Sequence, residues 1–479
     1  MFKGPDLPLI EEVETIIPQE GLFDIFRDQP YCFWLDSALD PQKLGRYSLM
    51  GSQPFLLLKS RGSANTIILD ERHTVETGNP FDILNRYLDM YRLDFRTTLV
   101  PCLGGAVGYF SYDLCHFVEN LPITAVDDLD LPECFFGFYD LMLVVDHLLR
   151  KTFIVSTGFP EIEEKARRVK ARERLNELKN QIKSYKHGGR KTDLKNYTGS
   201  KDVKLTSNFT HDDYLQAVAR ARQYIIDGDI FEVNISQRFA SRLPIQPYEL
   251  YWRLRQINPA PFAAYLDFDE LKIASSSPER FLRLDGDRVE TRPIKGTIRR
   301  GKNRTEDQML ARKLLASAKD HAENMMIVDL ERNDLGRVCR FGTVKVTELA
   351  ILETYPTVFH LTSTVTGQLM EHVNRVDLLK ATFPGGSISG APKVRSMEII
   401  DELEPTRRSI YTGSIGYLGF NGTMDLNIVI RTFLIKNNRA YFQVGGAIVY
   451  DSDPESEYQE TLDKGRALAK SLGLLEELG

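Results

Sequence analysis

The sequence predicts an α+β fold: large mixed or antiparallel sheets packed together, with helices on their outer faces. Three observations lead there. Strand-like and helix-like segments do not alternate in the regular βαβ order that builds a doubly wound parallel sheet. Turn signals at Asp285-Gly286 and Asn437-Asn438 join neighbouring strands as antiparallel pairs. Amphipathic helices with capping residues stand between groups of strands. With 479 residues, 42% of them hydrophobic and 27% charged, the chain is globular and of more than one domain, neither disordered nor a coiled-coil rod.

The elements follow in order. Up to Ser156 the chain reads as strands and loops, with strands at Pro54–Lys59 and Thr66–Leu69 and a helix over Phe81–Tyr91. Residues 136–156 read as two strands around a turn. Apolar residues at Ile162, Ala166, Val169, Leu175, Leu178 and Ile182 describe an amphipathic helix with a basic outer face. The polar, basic run over 184–207 reads as a linker between an N-terminal domain, 1–183, and a second domain, 208–479. Thr210-His211-Asp212-Asp213 is an N-cap signature for a helix that stops at Asp227-Gly228. Strands at Phe262–Asp267 and Leu271–Ser275 follow, then a hairpin at Asp285-Gly286 and a helix near Glu306–Lys319. Another helix starts at Pro392 after the loop FPGGSISGA. The last runs from Pro454 to Leu472, with Asp453 as its N-cap.

A net charge of −6 argues against a broad nucleic-acid surface, and it means that an anionic substrate must be met by locally placed cations or a metal. The longest apolar runs, such as Leu141–Val145, are too short to span a bilayer. The N-terminal segment MFKGPDLPLIEEVE has no apolar signal core. Five cysteines, an odd number with no CxxC pair, read as reduced thiols. The expectation is a cytoplasmic protein with neither membrane nor nucleic acid as partner.

Several groups could carry chemistry. Asp320 and Glu323, at the end of one helix, and Glu457 and Glu460, on the last helix, are i,i+3 pairs. Each pair shares a helix face. Two facing helices would offer four carboxylates to Mg²⁺, which prefers oxygen ligands; exposed acidic faces are the plainer alternative. Gly385–Gly390 before a helix, and Gly445-Gly446-Ala447 after a strand, offer backbone N–H groups to an anion or form tight turns. Arg431, inside the apolar run Asn427–Phe433, needs an anionic ligand or an internal salt bridge. Lys295, in Pro293-Ile294-Lys295-Gly296-Thr297, is a surface lysine or a desolvated nucleophile. Glu279 pairs with Arg280 or serves as an acid, and His360 is a core histidine or a site residue. No Gly-x-Ser-x-Gly elbow, HExxH or dinucleotide fingerprint occurs.

Taken together, PIKGT, DHAENMMIVDLERNDLGR, FPGGSISGAPK, DLNIVIRTF and QVGGAIVYDSDPESEYQET, in this order, resemble the chorismate-utilising enzyme family. That family comprises the large subunits of anthranilate and aminodeoxychorismate synthases, with isochorismate and salicylate synthases as cousins. LDSALDPQKLGRYSLMG and LGGAVGYFSYD resemble its N-terminal domain. The resemblance implies that Glu323 and Glu460 ligate Mg²⁺, supported by Asp320 and Glu457. It also implies that Tyr411 and Arg431 hold a chorismate carboxylate, the arginine as a bidentate fork. Gly296, Thr297 and Ser387 match further substrate contacts, Gly445, Gly446 and Ala447 an amide-lined carboxylate site, and His360 a histidine near the ring. PIKGT resembles the aminodeoxychorismate branch, in which the lysine attacks C2 as the C4 hydroxyl leaves, ammonia then expels it, and the product feeds 4-aminobenzoate and folate synthesis. Lys295 takes the nucleophile's place there and Glu279 that of the general acid. Anthranilate synthases, the alternative, resemble PIAGT. Asp36 and Ser37, with Pro261, Phe262 and Ala263, resemble a tryptophan pocket. Cys102 lies in Pro-Cys-Leu-Gly-Gly, which is not a glutaminase elbow. The resemblance therefore implies ammonia from a separate glutamine amidotransferase subunit.

Overall fold

The computed structural model describes residues 7–37, 39–185, 204–356 and 358–474. Two large sheets, each of twelve strands paired antiparallel, lie against one another. The first runs from the edge strand Leu9–Glu12 through Leu141–Asp146, Phe33–Asp36, Phe262–Phe268, Leu271–Ser277 and Arg439–Ile448 to Glu232–Arg242. The second runs from Ile294–Arg299 through Val358–Gln368, Arg280–Asp285, Ser414–Gly419 and Gly105–Phe110 to the edge strand Arg72–Thr77. Both sheets take strands from either side of 184–207: Asp36 is registered opposite Ala263, and Phe110 opposite Ser414. Most of the expected linker lies outside the described residues; Thr206–Ser207, at its end, pairs with Phe239 and Ala240 at the sheet edge.

Strand periodicity divides the core. Met142 and Val144 face the layer between the sheets, where Leu58, Phe136, Leu282 and Met424 meet them from the second sheet. Leu141 and Leu143 face the other way, against Leu175, Leu178, Leu254 and Leu468 of covering helices. Because both faces are covered, such strands are apolar throughout rather than alternating. The covering helix Glu164–Ser184 buries Ala171, Leu175, Leu178 and Ile182. Ile162 and Val169, expected on the same stripe, are exposed; Ile162 lies before the helix starts.

Two further expectations change. Three strands, not two, occupy this region: Cys134–Tyr139 belongs to the second sheet, and Leu141–Asp146 and Lys151–Ser156 to the first. The chain crosses between sheets at Asp140, held by Arg174 at 3.3 Å. An apolar run does not mark such a switch. The helix expected near Glu306–Lys319 is two, Arg304–Leu315 and Ala318–Gly336; the Ser317 hydroxyl caps the second by accepting from the Asp320 N–H. Asp320 and Glu323 therefore open a helix. All five cysteines are buried free thiols. Among the described residues no helix is long and apolar enough to cross a membrane.

Removing a buried side chain from the covering helix tests this layering. Leu175→Ala should cost about 2–5 kcal/mol of stability, whereas Ile162→Ala should change it by less than about 0.5 kcal/mol. Urea unfolding midpoints measure both.

Candidate active site

Lys295 is aimed by a bulge. On the edge strand Ile294–Arg299, Ile294 faces Thr362 and Thr297 faces His360, so Lys295 and Gly296 together oppose one residue. Gly296 has φ of +89°, and a Cβ there would lie 3.0 Å from an Asp320 carboxylate oxygen. Glycine thus serves both the left-handed backbone and the close approach of the helix Ala318–Gly336. The Lys295 side chain is buried, and its Nζ donates to Glu232 Oε1 at 2.6 Å. Glu232, fully buried at the head of Glu232–Arg242, belongs to the opposite sheet. Burial pushes the Lys295 amine down, but Glu232, Glu323 and Glu279 outweigh it and hold the pKa above its ordinary value.

Glu279 stands where the chain crosses from Leu271–Ser277 in the first sheet to Arg280–Asp285 in the second. Its Oε1 accepts from the Ser387 hydroxyl at 2.6 Å and the Ile294 N–H at 3.3 Å. Burial raises this carboxyl to about 7 against the lowering effect of those donors and of Lys295 and Arg431. Arg280 does not pair with it; Glu290 and Asp425 hold that arginine. Ser387 sits in the single turn Gly386–Ile388, whose Gly386 N–H donates to buried Glu331 at 3.1 Å.

Arg431 is not inside a strand. It lies between Met424–Asn427 and Thr432–Lys436 with φ of +51°. Its guanidinium reaches Asn258 Oδ1 at 3.4 Å, and among the described residues no carboxylate pairs with it. The internal salt bridge is therefore absent. Burial lowers its pKa while the nearby Tyr355 and Glu279 oppose that. A cation left with a neutral partner is a ready site for an anion. His360 shares a 2.7 Å hydrogen bond with Thr297 Oγ1 through Nδ1; its Nε2 is buried without a partner among the described residues. Burial and the Arg431 charge push the imidazole well below its ordinary pKa, so it is neutral at pH 7. Tyr411 stacks its ring near Arg408, and burial raises its phenol.

Gly445, Gly446 and Ala447 lie within the strand Arg439–Ile448, opposite Ser236, Ile235 and Asn234, rather than after it. The neighbouring strand Thr432–Lys436 stops pairing at Phe442, so that edge has no strand partner beyond it. A Cβ on Gly446 would lie 3.1 Å from Glu457 Oε2 and 3.6 Å from Glu460 Oε1, which shows how closely the last helix approaches.

Three of the four acids, Glu323, Glu457 and Glu460, feel the charge of one lysine. The Lys319 ammonium is 3.8 Å from Glu323, and its charge bears on Glu457 and Glu460 too. Glu323 Oε1 and Glu457 Oε2 are buried with no hydrogen-bond donor among the described residues. Burial raises the Glu323 carboxyl to about 7 and also raises Glu457, whereas Lys464, at 2.7 Å, chiefly lowers Glu460. Among the described residues no three acidic, His or Cys side chains converge into a ready-made cage. The two orphaned oxygens, Glu323 Oε1 and Glu457 Oε2, are of the donor type a hard cation prefers.

Comparison with known proteins now decides the family. Residues 31–470 match the model of the chorismate binding enzymes. The chain belongs to that family. It is 41% identical over 472 residues to anthranilate synthase component 1 of Acetivibrio thermocellus, covering 98% of this chain and 94% of that one. It is also 41% identical over 460 residues to aminodeoxychorismate synthase component 1 of Escherichia coli (strain K12), covering 95% and 96%. The crystal structure of anthranilate synthase component I from Streptococcus pneumoniae TIGR4 superposes with a TM-score of 0.76 at 32% identity, covering 88% of this chain and 92% of that one. The protein is thus a chorismate-utilising enzyme of the anthranilate and aminodeoxychorismate synthase type.

Asp36, Ser37, Pro261, Phe262 and Ala263 lie elsewhere, on the wall of a cavity of about 870 Å³. Asp36 Oδ2 accepts from Tyr251 at 2.8 Å and pairs with Arg255, while Oδ1 is buried without a partner among the described residues. Ser37 donates to the Tyr47 carbonyl at 2.6 Å.

Sequence reasoning missed Glu232, Glu331 and the Glu404–Arg408 pair. Arg408 clamps the 385–389 loop to the first sheet by donating to the Ile388 and Asn234 carbonyls at 2.9 and 2.7 Å. The available signal for Glu232 was an acid heading the strand Glu232-Val233-Asn234-Ile235, directly before the apolar Val233.

Gly296 offers a direct test of the bulge. Gly296→Ala should destabilise by about 1–3 kcal/mol because a left-handed non-glycine residue is strained, and should lower chorismate turnover by displacing Lys295. Denaturant unfolding and steady-state kinetics measure the two effects separately.

Proposed function

We propose that this protein aminates chorismate to 4-amino-4-deoxychorismate, through covalent attack by Lys295, with ammonia from a separate glutamine amidotransferase subunit. The observation that carries this reading is a buried lysine amine, on a bulge in PIKGT, facing Glu232, Glu279 and Glu323. Lys295 is the nucleophile at C2. Glu279, whose carboxyl lies near 7, donates the proton with which the C4 hydroxyl departs. Covalent catalysis divides one hard displacement into two easier ones. Arg431 and Tyr411 hold a substrate carboxylate. Neutral His360, with Nε2 free of protein partners, faces the ring. Cys102 lies outside a glutaminase elbow, and burial pushes its thiol above the ordinary pKa.

Glu323 and Glu460 would hold Mg²⁺, with Asp320 and Glu457 beside them. When bound, the metal neutralises charge on a substrate carboxylate. The cavity at Asp36 and Ser37 suits tryptophan, whose ammonium would meet the unpartnered Asp36 Oδ1. The second reading, an anthranilate synthase, rests on the 41% identity to the Acetivibrio thermocellus protein.

Mass identification of the product formed from chorismate, Mg²⁺ and ammonium separates the two. Aminodeoxychorismate without pyruvate is the expected result; anthranilate with pyruvate overturns the proposal. Without ammonia, intact-protein mass should show an adduct of chorismate minus water that Lys295→Ala abolishes. Full turnover by Lys295→Ala would remove the lysine from the mechanism.

The metal assignment has its own check. Glu460→Gln removes a ligand charge without changing size, so Mg²⁺-dependent turnover should fall by more than about tenfold while circular dichroism stays unchanged. Wild-type magnesium dependence in that variant would reject Glu460 as a ligand.

A further inference from the structure

Lys295 cannot attack a carbon while its amine carries a third proton, and the buried ion pair with Glu232, at 2.6 Å, favours that charged form. We propose that Glu232 is the residue that takes the proton from Lys295 and later returns it. This rests on the covalent reading above and adds to it a residue outside the expected catalytic set.

Four carboxylates from four elements act on the amine: Glu232 from Glu232–Arg242, Glu279 from the crossover between sheets, Glu323 from Ala318–Gly336 and Glu460 from Pro454–Leu472. Among the described residues only Glu232 lies within hydrogen-bond distance of Nζ, at 2.6 Å to Oε1. Glu279 is engaged by Ser387 and the Ile294 N–H, and its proton is assigned to the departing hydroxyl. Glu232 Oε2 is buried and accepts from nothing among the described residues. The carboxylate is thus committed to Lys295 alone. Its backbone is also fixed. The Glu232 carbonyl accepts from the Ser396 hydroxyl at 2.9 Å, and Glu232 is registered opposite Ala391. A Cβ on Gly390 would fall 2.2 Å from that carbonyl, so glycine there permits the packing that holds Glu232 in place.

The step balances. Nζ gives one proton to Glu232 Oε1, and the freed lone pair bonds to C2. The ring electron pairs shift and the C4–O bond breaks. The hydroxide leaves as water with the proton of Glu279, and Nζ becomes a secondary ammonium. Ammonia then bonds to C4 and the C2–Nζ bond breaks, releasing a neutral lysine amine. Glu232 returns its proton to that amine, restoring the ion pair. The new C4 ammonium gives a proton to Glu279, which is ready again. The sum is ammonia consumed and water released.

Glu232→Gln keeps the size and removes the base. Its kcat with chorismate, Mg²⁺ and ammonium should fall about 100-fold, the lower end of what a general base contributes, with KM for chorismate within about threefold of wild type. In Glu232→Ala, added formate should restore at least about a tenth of the lost rate by entering the vacated space beside Nζ. Formate should restore nothing to Lys295→Ala. Circular dichroism checks folding. Should either variant misfold, Glu232→Asp keeps the charge but withdraws it, and its kcat should fall about tenfold. A folded Glu232→Gln within about threefold of wild-type kcat, a folded Glu232→Ala that formate does not rescue, or a fully active Glu232→Asp overturns the assignment. Lys295→Ala separates the two levels. If it is inactive while Glu232→Gln is active, only the role of Glu232 falls. If it keeps full turnover and yields anthranilate, the covalent reading falls and takes this role with it.

Discussion

A buried ion pair between two sheets organises this site. Lys295 comes from the edge of one sheet and Glu232 from the other, and neither side chain has appreciable access to water. Taking both charges out of water is tolerable only because they meet at hydrogen-bond distance; removing one partner from such a pair typically costs about 3–5 kcal/mol. Much of the neighbouring geometry serves that meeting. The bulge at Lys295-Gly296 turns the amine inward, and the missing Gly296 side chain lets Asp320 close over it. The Glu404–Arg408 pair ties the loop carrying Ser387 to the strand carrying Glu232.

Charge is distributed so that an acidic protein can still receive a dicarboxylate. Several acids in the cleft are raised towards neutrality by burial, Glu279 and Glu323 to about 7, which reduces the repulsion an anion meets. Among the described residues the Arg431 guanidinium has only an amide oxygen as its partner. The same desolvation that raises the acids strengthens each interaction Arg431 can make with a ligand, since screening by water is lost.

The site and the large cavity share one piece of chain. The crossover Ser277–Arg280 carries Glu279 on the site side, and Arg280 lines the cavity that holds Asp36 and Ser37. Asn427, also on the cavity wall, donates to the Phe262 carbonyl at 3.1 Å. Because the strands on either side belong to different sheets, a shift of one sheet against the other would be felt at both places. Both sheets are built from chain on either side of 184–207, so neither place is the property of one stretch of sequence.

Some of this was written plainly in the chain. Helix starts at Thr210, Asp453 and Pro392, the hairpins at Asp285-Gly286 and Asn437-Asn438, and the acid pairs at i,i+3 are local features, set by hydrogen bonds and side-chain spacing within a few residues. The ordered motifs carried the family and pointed to Lys295, Glu279 and Arg431. Other features were not legible. The apolar run around Asp140 hides a change of sheet, because strands covered on both faces lose their alternation. Arg431 reads as a strand residue but adopts a left-handed turn. Glu232 reads as one more acid at a strand head, and becomes the partner of Lys295 only when strands from different sheets are brought side by side. Local spacing is recorded in sequence because neighbouring residues constrain one another directly. Which charge lies opposite which across two sheets depends on strand order and register over the whole chain, and no short period encodes that.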